Sequence, residues 1–85
     1  MPAPGVSTRW LERRRPQWDR LEQLVGACDR RGAGALGRLE LRELALLYRQ
    51  TAADLSVVRD DPASAALARS LNTLLGRAHH IVYAG

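Results

Sequence analysis

The sequence predicts an all-α protein: a small antiparallel three-helix bundle with a short, kinked N-terminal helical lead-in. Apolar residues recur at spacings of three and four in three separate segments, which is the periodicity of amphipathic helices. Capping and helix-breaking residues separate these segments, and no segment alternates apolar and polar residues as a strand does. A length of 85 residues suits one domain. We therefore expect a disordered lead-in over 1–6 and a single helical domain over 7–85, with helices at about 7–31, 38–59 and 62–83.

The first predicted helix begins near Ser7 or Thr8, either of which can cap it. Pro16 lacks an amide hydrogen and disfavours the helical conformation of the residue before it, so we expect the helix to kink or restart there. The apolar stripe consists of Trp18, Leu21, Leu24, Val25 and Cys28, with Leu11 one heptad before Trp18. Gly32 and Gly34 follow, and they can supply a left-handed C-cap that ends the helix.

The second predicted helix opens with a capping box, in which Gly37 is the N-cap and the Glu40 side chain reaches back to an orphan amide. Its apolar seam consists of Leu41, Leu44, Tyr48, Thr51, Leu55 and Val58. The connection to the third helix is very short, so the two helices must pack antiparallel.

The third predicted helix begins at Asp61, an N-cap, followed by Pro62 in the first helical position. Its apolar seam consists of Leu67, Leu71, Leu74, Ala78 and Ile81. Gly76 lies inside this helix, where glycine costs roughly 1 kcal/mol relative to alanine. This cost predicts a close helix–helix contact at Gly76.

Composition and charge limit the possible classes of protein. The chain is 46% apolar and 26% charged, which is typical of a folded protein. Its single cysteine, Cys28, excludes an internal disulfide framework and a multi-cysteine zinc site. No apolar run approaches the length of a membrane span. The net charge of +4 comes from residues 1–38, because residues 39–85 hold equal numbers of arginines and carboxylates.

No residue pattern indicates catalysis or metal binding. His79 and His80 are adjacent, so their side chains point about 100° apart on a helix and cannot chelate one ion. We expect one of them to pack near Tyr83 and the other to lie in water. Cys28 lies on an apolar stripe, which predicts a buried small side chain and not a nucleophile. The sequence therefore predicts a non-enzymatic protein with no catalytic residue, no metal and no cofactor.

An arginine-rich segment is the candidate interaction site. It consists of Arg9, Trp10, Arg13, Arg14 and Arg15, near the start of the first helix. Such a local excess of positive charge attracts anionic surfaces or partners, although a solvated helix face has the same composition. Reading of a DNA sequence is not indicated, because the third helix offers only Arg69, Asn72 and Arg77 amid apolar residues.

Three further apolar residues, Leu39, Leu46 and Val57, fall outside the three seams. In a bundle of this size they require either a partner or solvent. They favour self-association or docking onto another protein, while scattered exposed leucines are also normal on monomers.

Three stretches of the chain together resemble one protein family. They are residues 18–24, residues 44–49 with 53–55 and Arg59, and residues 71–79 with Ile81 and Tyr83. In order and spacing they are similar to the N-terminal cytosolic region of the stage II sporulation protein M family of bacterial integral membrane proteins, over about residues 9–83. In that family this region precedes several membrane-spanning helices. In spore formers the protein works with partners that include peptidoglycan-cleaving proteins.

The residues that match the family pattern are Trp18, Leu21, Tyr48, Arg49, Asp54, Asn72, Arg77 and His79. We expect them to lock the packing of the bundle and not to form a ligand site. The Asn72 amide is expected to bridge the second and third helices. Arg49 and Asp54 flank the second seam and are expected to pair across the bundle with Asp19 or Arg77.

The resemblance implies a non-enzymatic interaction or scaffold module that docks protein partners at the cytoplasmic face of a bacterial cell membrane. The family pattern enters the membrane where this chain stops, at Gly85. We therefore expect an excised or truncated soluble domain, attached to the membrane through the missing C-terminal part of a parent protein. The runner-up is a soluble helical protein that associates with nucleic acid through the N-terminal arginines. A third alternative is a plain homo-oligomerisation domain.

Overall fold

Three α-helices form the structure, a computed structural model that describes residues 6–83. Helix α1 spans Thr8–Arg31, α2 spans Arg38–Arg59 and α3 spans Ala65–Val82, with 3-10 turns at Ala33–Ala35 and Pro62–Ser64. The described residues contain no strand, so the predicted all-α class is confirmed. Within the same range, no helix is both long enough and apolar enough to cross a membrane.

Contacts between the helices define an up-down-up bundle. Arg14, near the start of α1, pairs with Asp54 late in α2. Arg20, farther along α1, pairs with Glu43 early in α2, so these two helices are antiparallel. The short turn at Pro62–Ser64 then returns α3 along α2 in the opposite direction. The predicted antiparallel three-helix bundle is therefore confirmed.

Helix α1 is continuous through Pro16, so of the two outcomes expected there the restart is wrong. Pro16 removes one backbone hydrogen bond, but Trp10 and Leu11 on its N-terminal side pack against the core and hold the first turns in place. The Ser7 hydroxyl accepts a hydrogen bond from the Trp10 amide at 3.1 Å, as predicted for the N-cap. At the other end Gly32 adopts a φ of +93°, a conformation that favours glycine.

The core lies between the three helices and follows the predicted seams. Its buried members from those seams are Trp18, Leu21, Leu24, Val25, Cys28, Leu44, Thr51, Leu55, Val58, Leu71, Leu74 and Ala78. The expectation for Leu41 is wrong, because its side chain is 40% exposed. Leu41 precedes Tyr48 by about two turns, and Tyr48 already faces His79 near the end of α3. Residues 65–82 of α3 therefore do not extend alongside Leu41.

The start of α2 is capped as predicted, whereas Asp61 caps the 3-10 turn before α3 and not α3 itself. The Gly37 amide donates to Oε1 of Glu40 at 3.1 Å, which is the half of a capping box that a glycine N-cap can form. After α2, Asp61 accepts hydrogen bonds from the Ala63 amide at 3.2 Å and the Ser64 hydroxyl at 2.8 Å. The residues after Asp61 form a 3-10 turn, so α3 itself begins three residues later than predicted.

The predicted lead-in falls largely outside the described residues, which begin at Val6. Val6 is half-buried, packs against the core and donates its amide hydrogen to Oδ2 of Asp61 at 3.4 Å. Its backbone thereby ties the start of α1 to the turn between α2 and α3.

Gly76 does not mediate a close contact, so that prediction is wrong. It is exposed, and a β-carbon built on it would meet no heavy atom within 4 Å. The small residue that is buried in this part of α3 is Ala78, with no exposed surface.

Candidate functional site

Helix α2 presents an apolar stripe that faces outward. Leu39, Leu46 and Val57 are 76%, 49% and 50% exposed. Because successive residues of an α-helix are about 100° apart, these side chains lie within about 20° of one line that runs for about 27 Å along α2. Ala53 is also exposed and lies beside this line. The stripe is distinct from the buried seam of the same helix.

Arginines border the stripe on one side. Arg38, Arg42 and Arg49 are exposed and lie about 60° to 100° around α2 from the stripe. Among residues 6–83 none of the three forms an ion pair. We call the surface formed by Leu39, Leu46, Val57, Arg38, Arg42 and Arg49 the α2 outer face.

The carboxylates of α2 lie on the other side of the stripe, and each already accepts hydrogen bonds. Glu40 accepts from the Gly37 amide. Glu43 accepts from Nε and Nη2 of Arg20 at 2.8 and 2.9 Å, and this hydrogen-bonded guanidinium lowers the pKa of Glu43. Asp54 is only 6% exposed and faces α1. Arginines of α1 thus hold Glu43 and Asp54, and Glu40 lies at least about 160° around α2 from the three arginines, so none of these carboxylates faces them.

The arginine side chains of the predicted cluster at the start of α1 point in three different directions. Arg9 and Arg13 are exposed and point away from the bundle. Arg14 turns inward and pairs with a carboxylate of α2. Arg15 lies on the side that faces α3, with its guanidinium 6.0 Å from the centre of the Trp18 ring. Only Arg9 and Arg13 therefore share one free surface.

Asp54 connects α1 to α2. Its Oδ2 accepts hydrogen bonds from Nε1 of Trp18 at 2.9 Å and from Nε of Arg14 at 3.0 Å. Trp10 packs edge-to-face against Trp18, with ring centroids 6.0 Å apart, and is half-buried. The expected pairing of Asp54 with Arg77 is wrong, because the carboxylate is occupied by the two donors from α1.

Arg77 connects α3 to α1. Its Nη1 donates to Oε2 of Glu22 at 2.9 Å, and its Nε donates to Oδ2 of Asp29 at 3.2 Å. These hydrogen bonds to the carboxylates, those to Asp29 more than the one to Glu22, raise the pKa of the Arg77 guanidinium. The alternative pairing of Arg49 with Asp19 is also wrong, since the part of the chain that the structure describes contains no ion pair between them.

An aromatic cluster joins α2 to the end of α3. Tyr48 Oη and Nδ1 of His79 share a hydrogen bond of 3.1 Å. His79 packs on Tyr83 with ring centroids 4.6 Å apart, as expected for one of the two histidines, although both His79 and His80 are exposed. Asn72 is exposed and forms no hydrogen bond to α2 within residues 6–83, so the expected bridge is wrong.

Residues 6–83 contain no group of three or more histidine, cysteine or carboxylate side chains placed to hold a metal ion. Cys28 is buried, and desolvation raises the pKa of its thiol. A thiol with a raised pKa is a weaker nucleophile at neutral pH, because less of it is thiolate.

A surface groove of about 500 Å³ lies between α1 and α3. Its lining includes Glu22 and Arg77, which pair with each other, together with Arg69, Ser70 and Thr73. The groove is open along one side, and a shallow surface of this kind does not enclose a small molecule as a typical ligand pocket does.

One known protein family matches the part of the chain that forms the three helices. A family model described as a domain of unknown function, DUF8413, matches residues 8–84. The chain belongs to this family. No curated protein and no solved structure matches the chain. The resemblance to the stage II sporulation protein M family therefore stays a prediction, and the DUF8413 match covers the whole bundle from α1 to α3.

Proposed function

We propose that this DUF8413 domain is a non-enzymatic docking module that binds a protein partner through the α2 outer face. The observation that carries the proposal is the exposure of Leu39, Leu46 and Val57 along one line of α2. The three seams of the bundle, apart from Leu41, pack their apolar side chains in or against the core. An apolar surface bordered by polar residues is typical of a site of protein interaction.

The spacing of the stripe suits a helical partner. Leu39 and Leu46 are one heptad apart, and Val57 follows about three turns later. A partner helix that lies along α2 meets a repeating row of side chains at this spacing. The length of the stripe corresponds to about 18 residues of such a helix.

Three carboxylates elsewhere on the bundle are engaged by arginines of a neighbouring helix. Arg77 holds Glu22 and Asp29, and Arg20 holds Glu43. These pairs fasten the helices to one another, while Arg69 in the α1–α3 groove forms no ion pair among residues 6–83. Among residues 6–83 four large aliphatic side chains are at least 40% exposed, and three of them, Leu39, Leu46 and Val57, lie on the α2 outer face, while the fourth is Leu41.

A synthetic amphipathic helix tests the proposal. A fluorescent peptide of about 18 residues, with leucines at heptad spacing and glutamines elsewhere, is titrated with the 85-residue chain. We expect saturable binding by anisotropy, weakened about tenfold or more by the double substitution L39S/L46S, because each lost aliphatic contact removes buried apolar surface.

Tyr83→Ser is the matched control, since Tyr83 is 66% exposed but lies outside the α2 outer face. It should bind the peptide as the unsubstituted chain does, and circular dichroism should show that every variant remains helical. If L39S/L46S binds the peptide as well as the unsubstituted chain does, the proposal is wrong.

A second candidate function is contact with an anionic membrane surface. Arg9 and Arg13 are exposed on the same side of α1 and form no ion pair within the described range. Basic residues near an anionic bilayer contribute about 1 kcal/mol each to binding. Such contact would place the domain at the membrane face that the family resemblance implies.

Co-sedimentation with phosphatidylglycerol vesicles tests this second candidate. R9E/R13E should abolish sedimentation, whereas R30E/R31E, which makes the same change of charge at the exposed end of α1, should not. Equal loss in both variants would assign the binding to net charge and contradict a specific surface.

A further inference from the structure

We infer that the partner of the α2 outer face is an amphipathic helix with acidic residues along its flank. This inference rests on the proposed docking function and adds the chemistry of the partner. It follows from the juxtaposition of an exposed aliphatic stripe with Arg38, Arg42 and Arg49, all exposed and without an ion pair among residues 6–83.

The charge of the face is one-sided. Arg42 and Arg49 are one heptad apart on the same flank of the stripe, and Arg38 lies one turn before Arg42. On the other flank, the nearest carboxylate is Glu43, which Arg20 holds with two hydrogen bonds. A partner with glutamates or aspartates opposite the arginines is attracted, whereas a basic partner is repelled.

A second copy of the chain does not satisfy this face. An antiparallel pair of α2 helices related by a twofold axis sets each flank against the same flank of the other helix, so Arg42 and Arg49 would meet arginines. A parallel pair sets the arginines against the flank of Gln50 and Glu43, where the carboxylate is already engaged by Arg20. Self-association therefore leaves the arginines without an acidic counterpart.

The shape of the stripe favours a protein helix over a lipid surface. Leu39, Leu46 and Val57 include no aromatic residue, whereas interfacial segments of membrane proteins are enriched in tryptophan and tyrosine. Between Leu46 and Val57 the small, exposed Ala53 lies on the arginine side of the line and the partly exposed Gln50 on the other side, so a side chain of the partner can pack over Ala53. Side-chain interdigitation of this kind is a property of helix–helix contacts.

Three peptides test the inference with the 85-residue chain. They share leucines at heptad spacing over about 18 residues and carry glutamate, glutamine or lysine on the flanks. By fluorescence anisotropy at low salt, we expect the glutamate peptide to bind about tenfold or more tighter than the glutamine peptide, and the lysine peptide to bind most weakly. High salt should reduce the difference, because the arginines are exposed to solvent.

A charge reversal identifies the residues responsible. R42E/R49E should invert the order, so that the lysine peptide binds best. R9E/R13E makes the same change of charge on the outer side of α1 and should leave the order unchanged. Circular dichroism and thermal melting of both variants show whether the bundle is intact.

The outcomes separate this inference from the proposed function. If the glutamate and glutamine peptides bind with equal affinity, and L39S/L46S weakens the binding of both, the docking function is supported. The inference that the partner is acidic is then wrong. If no peptide binds, both are wrong. Binding to phosphatidylglycerol vesicles that R42E/R49E abolishes, without binding to any peptide, assigns the face to lipid and overturns the inference. A dimer in light scattering that L39S/L46S disperses assigns the face to a second copy and overturns it as well.

Discussion

Trp18 donates its indole N–H to Oδ2 of Asp54 at 2.9 Å, and both side chains are buried. Arg14 donates its Nε–H to the same oxygen at 3.0 Å. The donors lie four residues apart, on successive turns of α1, and they converge on one acceptor of α2. This arrangement fixes how α1 is rotated about its own axis relative to α2.

Asp54→Ala should therefore destabilise the protein by about 2 kcal/mol, because it leaves the buried indole N–H of Trp18 without an acceptor. Unfolding in urea, followed by circular dichroism, measures the loss. Asp19→Ala removes an exposed carboxylate of α1 and is the control, with little expected change. Equal midpoints for the two variants would contradict the structural role of Asp54.

Thr51→Val should stabilise the protein by about 1 kcal/mol. Thr51 has no exposed surface, and its hydroxyl oxygen finds no hydrogen-bond partner within the described residues. Valine has nearly the same shape and removes the cost of a buried, unsatisfied polar group. Thermal melting measures the gain, and Thr73→Val, at an exposed position of α3, is the control. A lower melting temperature for Thr51→Val would show that the hydroxyl is bonded in solution.

Gly76→Ala should also stabilise the protein, by about 1 kcal/mol, because it raises the helix propensity of α3 without a steric clash. The added β-carbon meets no heavy atom within 4 Å. Gly26→Ala is the comparison, since its β-carbon would lie 3.2 Å from Nη1 of Arg30 and the gain should be smaller. If Gly76→Ala lowers the urea midpoint, helix propensity does not govern this position.

Stability should fall in acid, partly through Asp61. Hydrogen bonds from the Ser64 hydroxyl and, more weakly, from the Val6 and Ala63 amides lower the pKa of Asp61 in the folded state, although burial opposes the shift. A carboxyl group with a lower pKa in the folded than in the unfolded state stabilises the fold above its unfolded pKa. That contribution is lost as the pH falls through the folded pKa, below about pH 4.

Asp61→Asn should thus flatten the dependence of the urea midpoint on pH in the acid range, while the amide still caps the turn. Asp60→Asn changes a neighbouring exposed carboxylate and should leave the slope as it is. Parallel profiles for the two variants would mean that Asp61 does not contribute to the acid dependence.

The apolar periodicity of the sequence suffices to predict the three helices and most of the core. Leu21, Val25, Leu44 and Val58 recur at helical spacing and are almost fully buried. The caps at Gly37 and Asp61 are equally local, because each is a short-range pattern of residue types. Leu41 follows the same pattern and is exposed, since burial depends on how far the neighbouring helix extends.

Apolar periodicity does not predict ion pairs between residues that are far apart in the sequence. Arg14 and Asp54 are 40 residues apart, and their contact depends on the rotation and axial position of both helices. For the same reason the expected pairing of Arg77 with Asp54 is wrong. Several carboxylates lie at suitable positions along the bundle, and the periodicity does not distinguish among them. Charge pairing in a sequence rich in arginine has many solutions of similar energy.

The sum of charges along the sequence does not show that the arginines of α2 lie on one side of the helix. Residues 39–85 are neutral in sum, yet Arg42 and Arg49 lie on one flank of α2 and its carboxylates on the other. A helical projection of α2 separates them. The exposure of Leu39 and Leu46 is predictable from their place outside the seams, while the absence of neighbours for the arginines requires the fold.

Arg77 reaches two carboxylates of α1, Glu22 and Asp29, that lie seven residues apart. The Arg77 guanidinium thus opposes sliding of α3 along α1, to which α3 is parallel. Sliding α3 by one turn, about 5.4 Å, would take the guanidinium away from at least one of its two acceptors. Together with the hydrogen bond between Tyr48 and His79, this contact therefore sets the position of α3 along the other two helices.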